Sequence, residues 1–178
     1  MTDPRFGVAV HEAAHVAGHL AQGLHVASVA IAPRAFTDHG PVRPEYLTAD
    51  ELFKYCVATF AGPAAVHVLG GSMVSDGGSA DERDARLLAK QWRELSGALN
   101  TLKKQRRDSD AWLTRARVCA LALVVRHEAG IRAIADALLD YGALHARQLR
   151  DLWFQLQHPA AALLIAGRAP RALRPWGY

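Results

Sequence analysis

The amino-acid sequence predicts one mainly α-helical domain with a short strand or small sheet beside its first helix. Apolar residues make up 51% of the chain and aromatic residues only 7%, which favours packed helices over a β-sandwich. A length of 178 residues allows one well-buried core but not two generous domains. We therefore expect one domain over residues 1–157, followed by a basic, proline-containing tail over 158–178 that is only partly ordered.

Residues 5–22 predict the first helix, which ends near Gly23. It contains the motif HExxH, from His11 to His15. On a helix these two histidines lie on one face, one turn apart, and can bind a single metal ion. Glu12 points about 100° away, where a general base would stand beside the ion. Zinc is the ion that this motif indicates.

A strand and a second helix are predicted to follow. Residues 26–32 alternate their larger apolar side chains and stop at Pro33, which suits a short strand at the edge of a small sheet. The pattern of Thr48 and Glu51 is a capping box that opens the second helix. We expect the helix to break or kink at Gly62-Pro63, because proline removes a backbone donor.

Helices also account for most of the second half of the sequence. A second capping box, Ser79 to Glu82, predicts a third helix that places Asp81 in its first turn. The later helices are predicted from Ser109 or Asp110 to near Gly130, over 131–141 and over 144–157.

Charge and composition argue against several kinds of partner. The formal charge is +4, but the basic cluster 103–107 contains no aromatic residue and falls between two predicted helices, which indicates a solvated loop and no nucleic-acid site. The longest wholly apolar run, 118–125, is far shorter than the ~18 residues that cross a bilayer, so we expect a cytoplasmic protein without a membrane partner. Cys56 and Cys119 lack CxxC spacing and are expected to be reduced core residues.

The motif supplies two metal ligands, and several residues compete to be the third. His19 continues the same face, but its backbone lies ~12 Å along the helix axis from that of His11, which is too far for one ion and favours a packing role. The extended motif HExxHxxGxxH fails at Ala21, which stands where a third histidine is required.

Acidic residues further along the chain remain as candidates. Glu45 and Glu51 could act as a glutamate from the following helix, but the capping box explains Glu51 better. Asp81 and Asp84 are then left. A first-turn position near the helix dipole favours Asp81, although first-turn aspartates are common and this argument alone does not decide between a ligand and a helix-stabilising charge.

Five segments, in the same order along the chain, resemble the protease domain of the FtsH family, the ATP-dependent zinc metalloproteases. They are Val8–His15, Ser28–Arg34, Leu47–Leu52 with Ala61–Ala65, Val74–Asp81 and Ile134–Leu139. The resemblance implies that His11, His15 and Asp81 bind one Zn2+ ion per chain and that Glu12 is the catalytic base. For the substrate, the exposed edge of the strand formed by Ser28, Val29, Ala30, Ile31 and Ala32 is expected to pair with an extended polypeptide.

The sequence also departs from this family. Ala14 replaces a glycine, which is a minor change in a helix. Pro63 replaces an arginine and Val66-His67 replace acidic residues, so supporting roles at these later positions do not carry over. The chain contains no GxxxxGK[ST] phosphate loop and no membrane anchor. We therefore expect a stand-alone metalloendopeptidase for unfolded or flexible polypeptides, which works with a separate ATPase or as a homo-oligomer. The alternative is a catalytically weak binding or regulatory module that keeps the metal site.

Overall fold

The computed structural model describes residues 5–40, 43–70, 77–96 and 102–158. In these ranges the chain forms six α-helices, three short strands and a 3-10 turn. The helices are α1 (Phe6–Ala21), α2 (Ala49–Leu69), α3 (Gly77–Leu95), α4 (Leu102–Arg126), α5 (Glu128–Tyr141) and α6 (Ala146–Gln157). The strands are β1 (Ser28–Ala30), β2 (Phe36–Asp38) and β3 (Ala143–His145). The prediction of a mainly helical fold with a small sheet is confirmed.

Helix α1 lies at the centre of the fold. Every residue from Ala9 to His19 is buried, because α2 and α5 pack against the helix and β1 and β2 run beside it. Gly18 allows a close crossing with α2, since a β-carbon at this position would lie 3.0 Å from the Cα atom of Ala58. The polar side chains of α1 must therefore find their partners inside the protein.

The three strands form an antiparallel sheet in the order β2-β1-β3. Ser28 pairs with Asp38 on one side and with His145 on the other. A strand was predicted at this place, but the prediction that it forms the edge of the sheet is wrong, because β1 is the central strand. The reason is β3, which returns from the far end of the domain and covers the second edge of β1.

Helix α2 begins as the sequence indicates and continues without interruption through Gly62-Pro63, where a break or kink was expected. The Thr48 hydroxyl accepts a hydrogen bond from the Glu51 N–H over 3.2 Å, and the Glu51 carboxylate accepts one from the Thr48 N–H over 2.9 Å. Beyond this confirmed capping box the helix runs through Pro63 to Leu69, so the predicted break is wrong. Packing of the buried small residues Ala61 and Ala65 in the core outweighs the local cost of the proline.

The bounds of the later helices differ from the predicted ones. Helix α3 begins at Gly77, two residues before the predicted start at Ser79, and no acidic residue falls in its first turn. Helix α4 begins earlier than Ser109 and includes the basic cluster 103–107, which is therefore helical and not a loop. The interruption comes at His127, while Gly130 lies inside α5 with Trp153 packed over it.

Two further features bear on the predicted class of protein. Cys56 is buried and Cys119 is half-buried, and both are free thiols, as expected. Helix α2 is long and apolar enough to cross a membrane by length and composition, but half of its most apolar window is buried inside the protein, which is also the pattern of a core helix. Residues 159–178, which contain nearly all of the predicted tail, lie outside the described residues.

Candidate metal centre and active site

Four polar side chains of α1 line one cavity. His11, Glu12, His15 and His19 are at most 8% exposed, although the remainder of this helix is almost wholly apolar. The cavity has a volume of about 480 Å³ and opens between α1, β2, α2 and α3. Buried ionisable groups are costly unless they are paired, so their concentration on one wall indicates a functional site.

The structure brings His11, His15 and Asp81 together. The two histidine Nε2 atoms are 2.9 Å apart, Oδ2 of Asp81 lies 3.2 Å from Nε2 of His11, and Oδ1 of Asp81 lies 3.5 Å from Nε2 of His15. Apart from this approach to His11, Oδ2 of Asp81 is buried and makes no hydrogen bond among the described residues. Three ligand atoms that converge in this way can hold a metal ion.

A backbone carbonyl of α2 determines the tautomer of the His15 imidazole. Its Nδ1 lies 2.9 Å from the Ala58 carbonyl oxygen, and because a carbonyl can only accept, Nδ1 carries the proton. In the neutral imidazole, Nε2 is then left with its lone pair directed toward His11 and Asp81. This is the tautomer that a metal ligand requires.

Gly62 leaves the space in which the two histidine rings meet. A β-carbon at this position would lie 2.5 Å from Nε2 of His15 and 2.8 Å from Cε1 of His11. Both distances are shorter than any real contact of a β-carbon. Helix α2 therefore contributes to the site in two ways. The Ala58 carbonyl accepts a hydrogen bond from His15, and Gly62 has no side chain that would displace the rings.

Glu12 lies on the same cavity and is held by the sheet. The Thr37 hydroxyl donates a hydrogen bond of 2.7 Å to Oε2 of Glu12, and its oxygen lies 3.4 Å from the Glu12 carbonyl oxygen. Thr37 is the middle residue of β2, a strand that the sequence did not reveal. Neither the role of Thr37 nor that of Gly62 carries a signal in the sequence beyond the residue type.

The other candidate residues of the sequence do not join the metal cluster. Asp84 lines the cavity but is exposed and faces Arg83 at 3.8 Å. Glu51 serves as the cap of α2, and the nearby Thr48 hydrogen bonds lower the pKa of its carboxyl group. Glu45 lies in the 3-10 turn. In the range 28–32, β1 has neighbours on both edges, so it cannot offer a free edge to a substrate.

His19 has a separate environment at one end of the cavity. Its Nδ1 lies 2.8 Å from the His15 carbonyl oxygen, and its ring stacks on that of His39 with centroids 5.3 Å apart. Burial, together with smaller effects of the His39 and His15 side chains, lowers the pKa of His19 to about 4, although the hydrogen bond to the His15 carbonyl acts in the opposite direction. His19 is therefore neutral at pH 7. The prediction that it packs and does not join the metal cluster agrees with this geometry.

A scan against protein-family models finds no match for the chain, and a search of curated proteins finds no significantly similar sequence. Any assignment of function therefore depends on the geometry of the site.

Proposed function

We propose that the protein is a zinc-dependent metalloendopeptidase that hydrolyses peptide bonds in unfolded or flexible polypeptides. The observation that carries this proposal is the convergence of His11, His15 and Asp81 beside the buried carboxylate of Glu12, on one open cavity. Such a cavity lets a ligand reach both the cluster and the carboxylate.

The donor set fits zinc. Two imidazole nitrogens and one carboxylate are common ligands of catalytic zinc, which keeps a further position open. Ligand atoms at zinc bond lengths around one tetrahedral ion are about 3.3 Å apart, from simple geometry. The two Nε2 atoms are 2.9 Å apart, Oδ2 of Asp81 lies 3.2 Å from that of His11, and Oδ1 of Asp81 lies 3.5 Å from that of His15, all close to this value. The lone pair of His15 and the unpartnered Oδ2 of Asp81 both suit a cation.

A bound zinc ion would supply a Lewis acid that polarises the peptide carbonyl and makes water a stronger acid. The protein's own groups carry the proton. Oε2 of Glu12 is engaged by Thr37, so Oε1 is the oxygen that takes a proton from the attacking water. The same carboxyl group then returns the proton to the amine that leaves. No side chain forms a covalent intermediate in this scheme.

The substrate is placed along β2 and not along the central strand. In the described part of the chain, β2 pairs only with β1, so its outer edge has unpaired backbone groups. Residues 35–37 also line the cavity that contains the metal cluster. An extended polypeptide that adds to this edge makes main-chain hydrogen bonds of low sequence selectivity, and its backbone lies beside Glu12.

A polypeptide needs to be locally unfolded to occupy such an edge, so flexible segments are the natural substrates. The proposal includes a cytoplasmic protein that works with a separate ATPase or as a homo-oligomer, and that binds neither nucleic acid nor a membrane. Pro63 and His67, where the chain departs from the FtsH family, do not line the cavity, which argues against loss of activity through that segment.

The decisive experiment compares the wild type with Glu12→Gln. We expect one zinc ion per chain in both proteins, cleavage of unfolded casein by the wild type that chelation stops, and at least about a hundredfold slower cleavage by the variant. Glu128→Gln is the matched control, because Glu128 is a surface residue of α5 that pairs with Arg132. Equal cleavage by Glu12→Gln would refute the mechanism. Zinc binding without cleavage in the wild type would favour the binding or regulatory module.

A further inference from the structure

Three rings form a corner of the cavity one helical turn from the metal cluster. His19 and His39 are stacked with an angle of 20° between their planes, and Tyr55 meets both rings edge to face, at 5.6 Å from His19 and 5.9 Å from His39. We call these three residues the imidazole corner. All three line the cavity that contains Glu12 and the metal ligands.

The corner contains one polar atom without a partner. The Nδ1 atom of His19 must carry the proton, because its partner is the His15 carbonyl oxygen. In the neutral ring Nε2 is therefore an acceptor, and it is buried without a hydrogen-bond partner among the described residues. A buried acceptor without a hydrogen bond raises the free energy of the unliganded protein. A ligand that supplies a donor to this nitrogen would remove that cost and bind more tightly.

The position of the corner relates it to the bound polypeptide. His19 lies one turn from His15, about 6 Å along the axis of α1. An extended chain advances about 3.3 Å per residue, so for a chain that runs alongside α1 the corner would be level with the first or second residue from the bond that is cut. His39 immediately follows β2, whose outer edge is the proposed substrate edge. The corner can thus receive a side chain of the substrate.

The chemistry of the corner selects the type of side chain. Flat rings offer stacking surfaces to another aromatic ring. The unprotonated Nε2 of His19 adds a hydrogen-bond acceptor and no donor. We propose that the imidazole corner is a specificity pocket for an aromatic side chain that carries a hydrogen-bond donor, above all tyrosine, close to the cleaved bond. This proposal rests on the proposed peptidase function and names its substrate preference.

The guest must move a ring to reach Nε2 of His19, since that atom is closed from solvent. His39 and Tyr55 are both half-buried, and both also line a second cavity, of about 680 Å³. Each of the two rings therefore borders two cavities into which it can turn. His19 is held by its hydrogen bond to α1 and stays in place.

The test uses two variants that separate the two nitrogens of His19. In His19→Asn the side-chain amide can keep the bond to the His15 carbonyl but offers nothing at the position of Nε2. In His19→Gln the longer side chain can place an oxygen near that position. Peptides that differ only by tyrosine or phenylalanine beside the cleaved bond are compared, with zinc content and unfolding temperature measured for each protein.

We expect the wild type to prefer the tyrosine peptide by about five- to tenfold in kcat/KM, as one buried hydrogen bond allows. In His19→Asn the ratio should fall to about one, and His19→Gln should restore part of it. Equal use of both peptides by the wild type, or an unchanged ratio in His19→Asn, would overturn the proposal. So would a second zinc ion per chain that depends on His19, because it would occupy Nε2.

Binding measurements separate this proposal from the proposed function. N-acetyl-tyrosinamide and N-acetyl-phenylalaninamide are titrated into zinc-loaded Glu12→Gln and into the same variant carrying His19→Asn, and the imidazole resonances are followed by NMR. Tighter binding of the tyrosine amide that is lost with His19→Asn supports the corner even if no peptide is cleaved. Cleavage of casein without this preference would leave the peptidase standing and refute the corner.

Discussion

Gly62 offers a sharp test of the metal centre by the addition of a single carbon atom. In Gly62→Ala the β-carbon would lie 2.5 Å from Nε2 of His15, so the ring must move away from its position between His11 and Asp81. We expect a loss of zinc affinity of about a hundredfold or more, comparable with the removal of groups that orient metal ligands. The measurement is a competition titration with a zinc chelator.

A fold effect can be distinguished from this local effect. Alanine has a higher helix propensity than glycine by about 1 kcal/mol, so the substitution does not weaken α2 by itself. The helix content of the zinc-free variant, measured by circular dichroism, should therefore match that of the zinc-free wild type. Zinc affinity equal to that of the wild type would show that the rings do not occupy these positions.

Thr37 is a positioning residue for Glu12, and its role can be tested by removing only the hydroxyl. Thr37→Val keeps the shape of the side chain but loses the donor that lies 2.7 Å from Oε2 of Glu12. We expect kcat to fall about tenfold with little change in KM, because the carboxylate is less well oriented. Thr37→Ser, which keeps the hydroxyl, should recover most of the rate. A similar loss in both variants would indicate a packing role only.

At the scale of residues, the sequence predicts those site residues whose role depends on their spacing along a single helix. The pair His11 and His15 follows from the helical repeat alone. Asp81 could be predicted only from the resemblance to the FtsH family. The argument from a first-turn position does not hold, because Asp81 does not lie in the first turn of α3. Thr37 and Gly62 could not be predicted, because their roles depend on which helix and strand pack against α1, and no local pattern contains that information.

At the scale of elements, the presence of the long helices was predicted well, their bounds less well, and the short strands poorly. The apolar repeats of α1 and α2 extend over several helical turns. They favour a continuous helix more strongly than single residues such as Pro63 disfavour it. Strands β2 and β3 have three residues each, which is too short for a period of two to be recognised. Their pairing depends on contacts between distant parts of the chain, and this is why the position of β1 within the sheet was predicted wrongly.

The outer edge of β2 gives a prediction for the substrate backbone. If a polypeptide pairs with this edge, its successive N–H groups point alternately toward β2 and away from it. A set of peptides in which one amide at a time is N-methylated should therefore show alternating KM values, with strong weakening at every second position. Inhibition constants against zinc-loaded wild type give the same pattern without cleavage. A uniform effect along the peptide would exclude strand addition.

At the scale of the whole molecule, the candidate metal centre lies where two parts of the core meet. One cluster of buried apolar residues is built mainly from α1 and α5 and includes Val124 of α4, and the other is built mainly from α3 and the rest of α4. Helix α2 contributes to both, with Ala61 and Ala65 in the first and Leu52 and Phe60 in the second. The metal ligands come from α1 and α3, so an ion would link the two clusters. The sequence predicts the ligands on α1 and α3, but it does not predict that these two helices are joined by packing against α2.

Zinc should therefore stabilise the fold and not only the reaction. An ion that binds the native state alone adds about 4 kcal/mol to the free energy of unfolding at a free concentration a thousand times its Kd. We expect the denaturation midpoint to rise with free zinc in the wild type and in Asp84→Asn, since the exposed Asp84 side chain is not part of the ligand cluster. In Asp81→Asn this dependence should be largely lost, because one of the three converging ligands is removed. Unfolding in urea at several buffered zinc concentrations measures all three proteins, and an equal dependence in both variants would mean that zinc does not link α1 to α3 through Asp81.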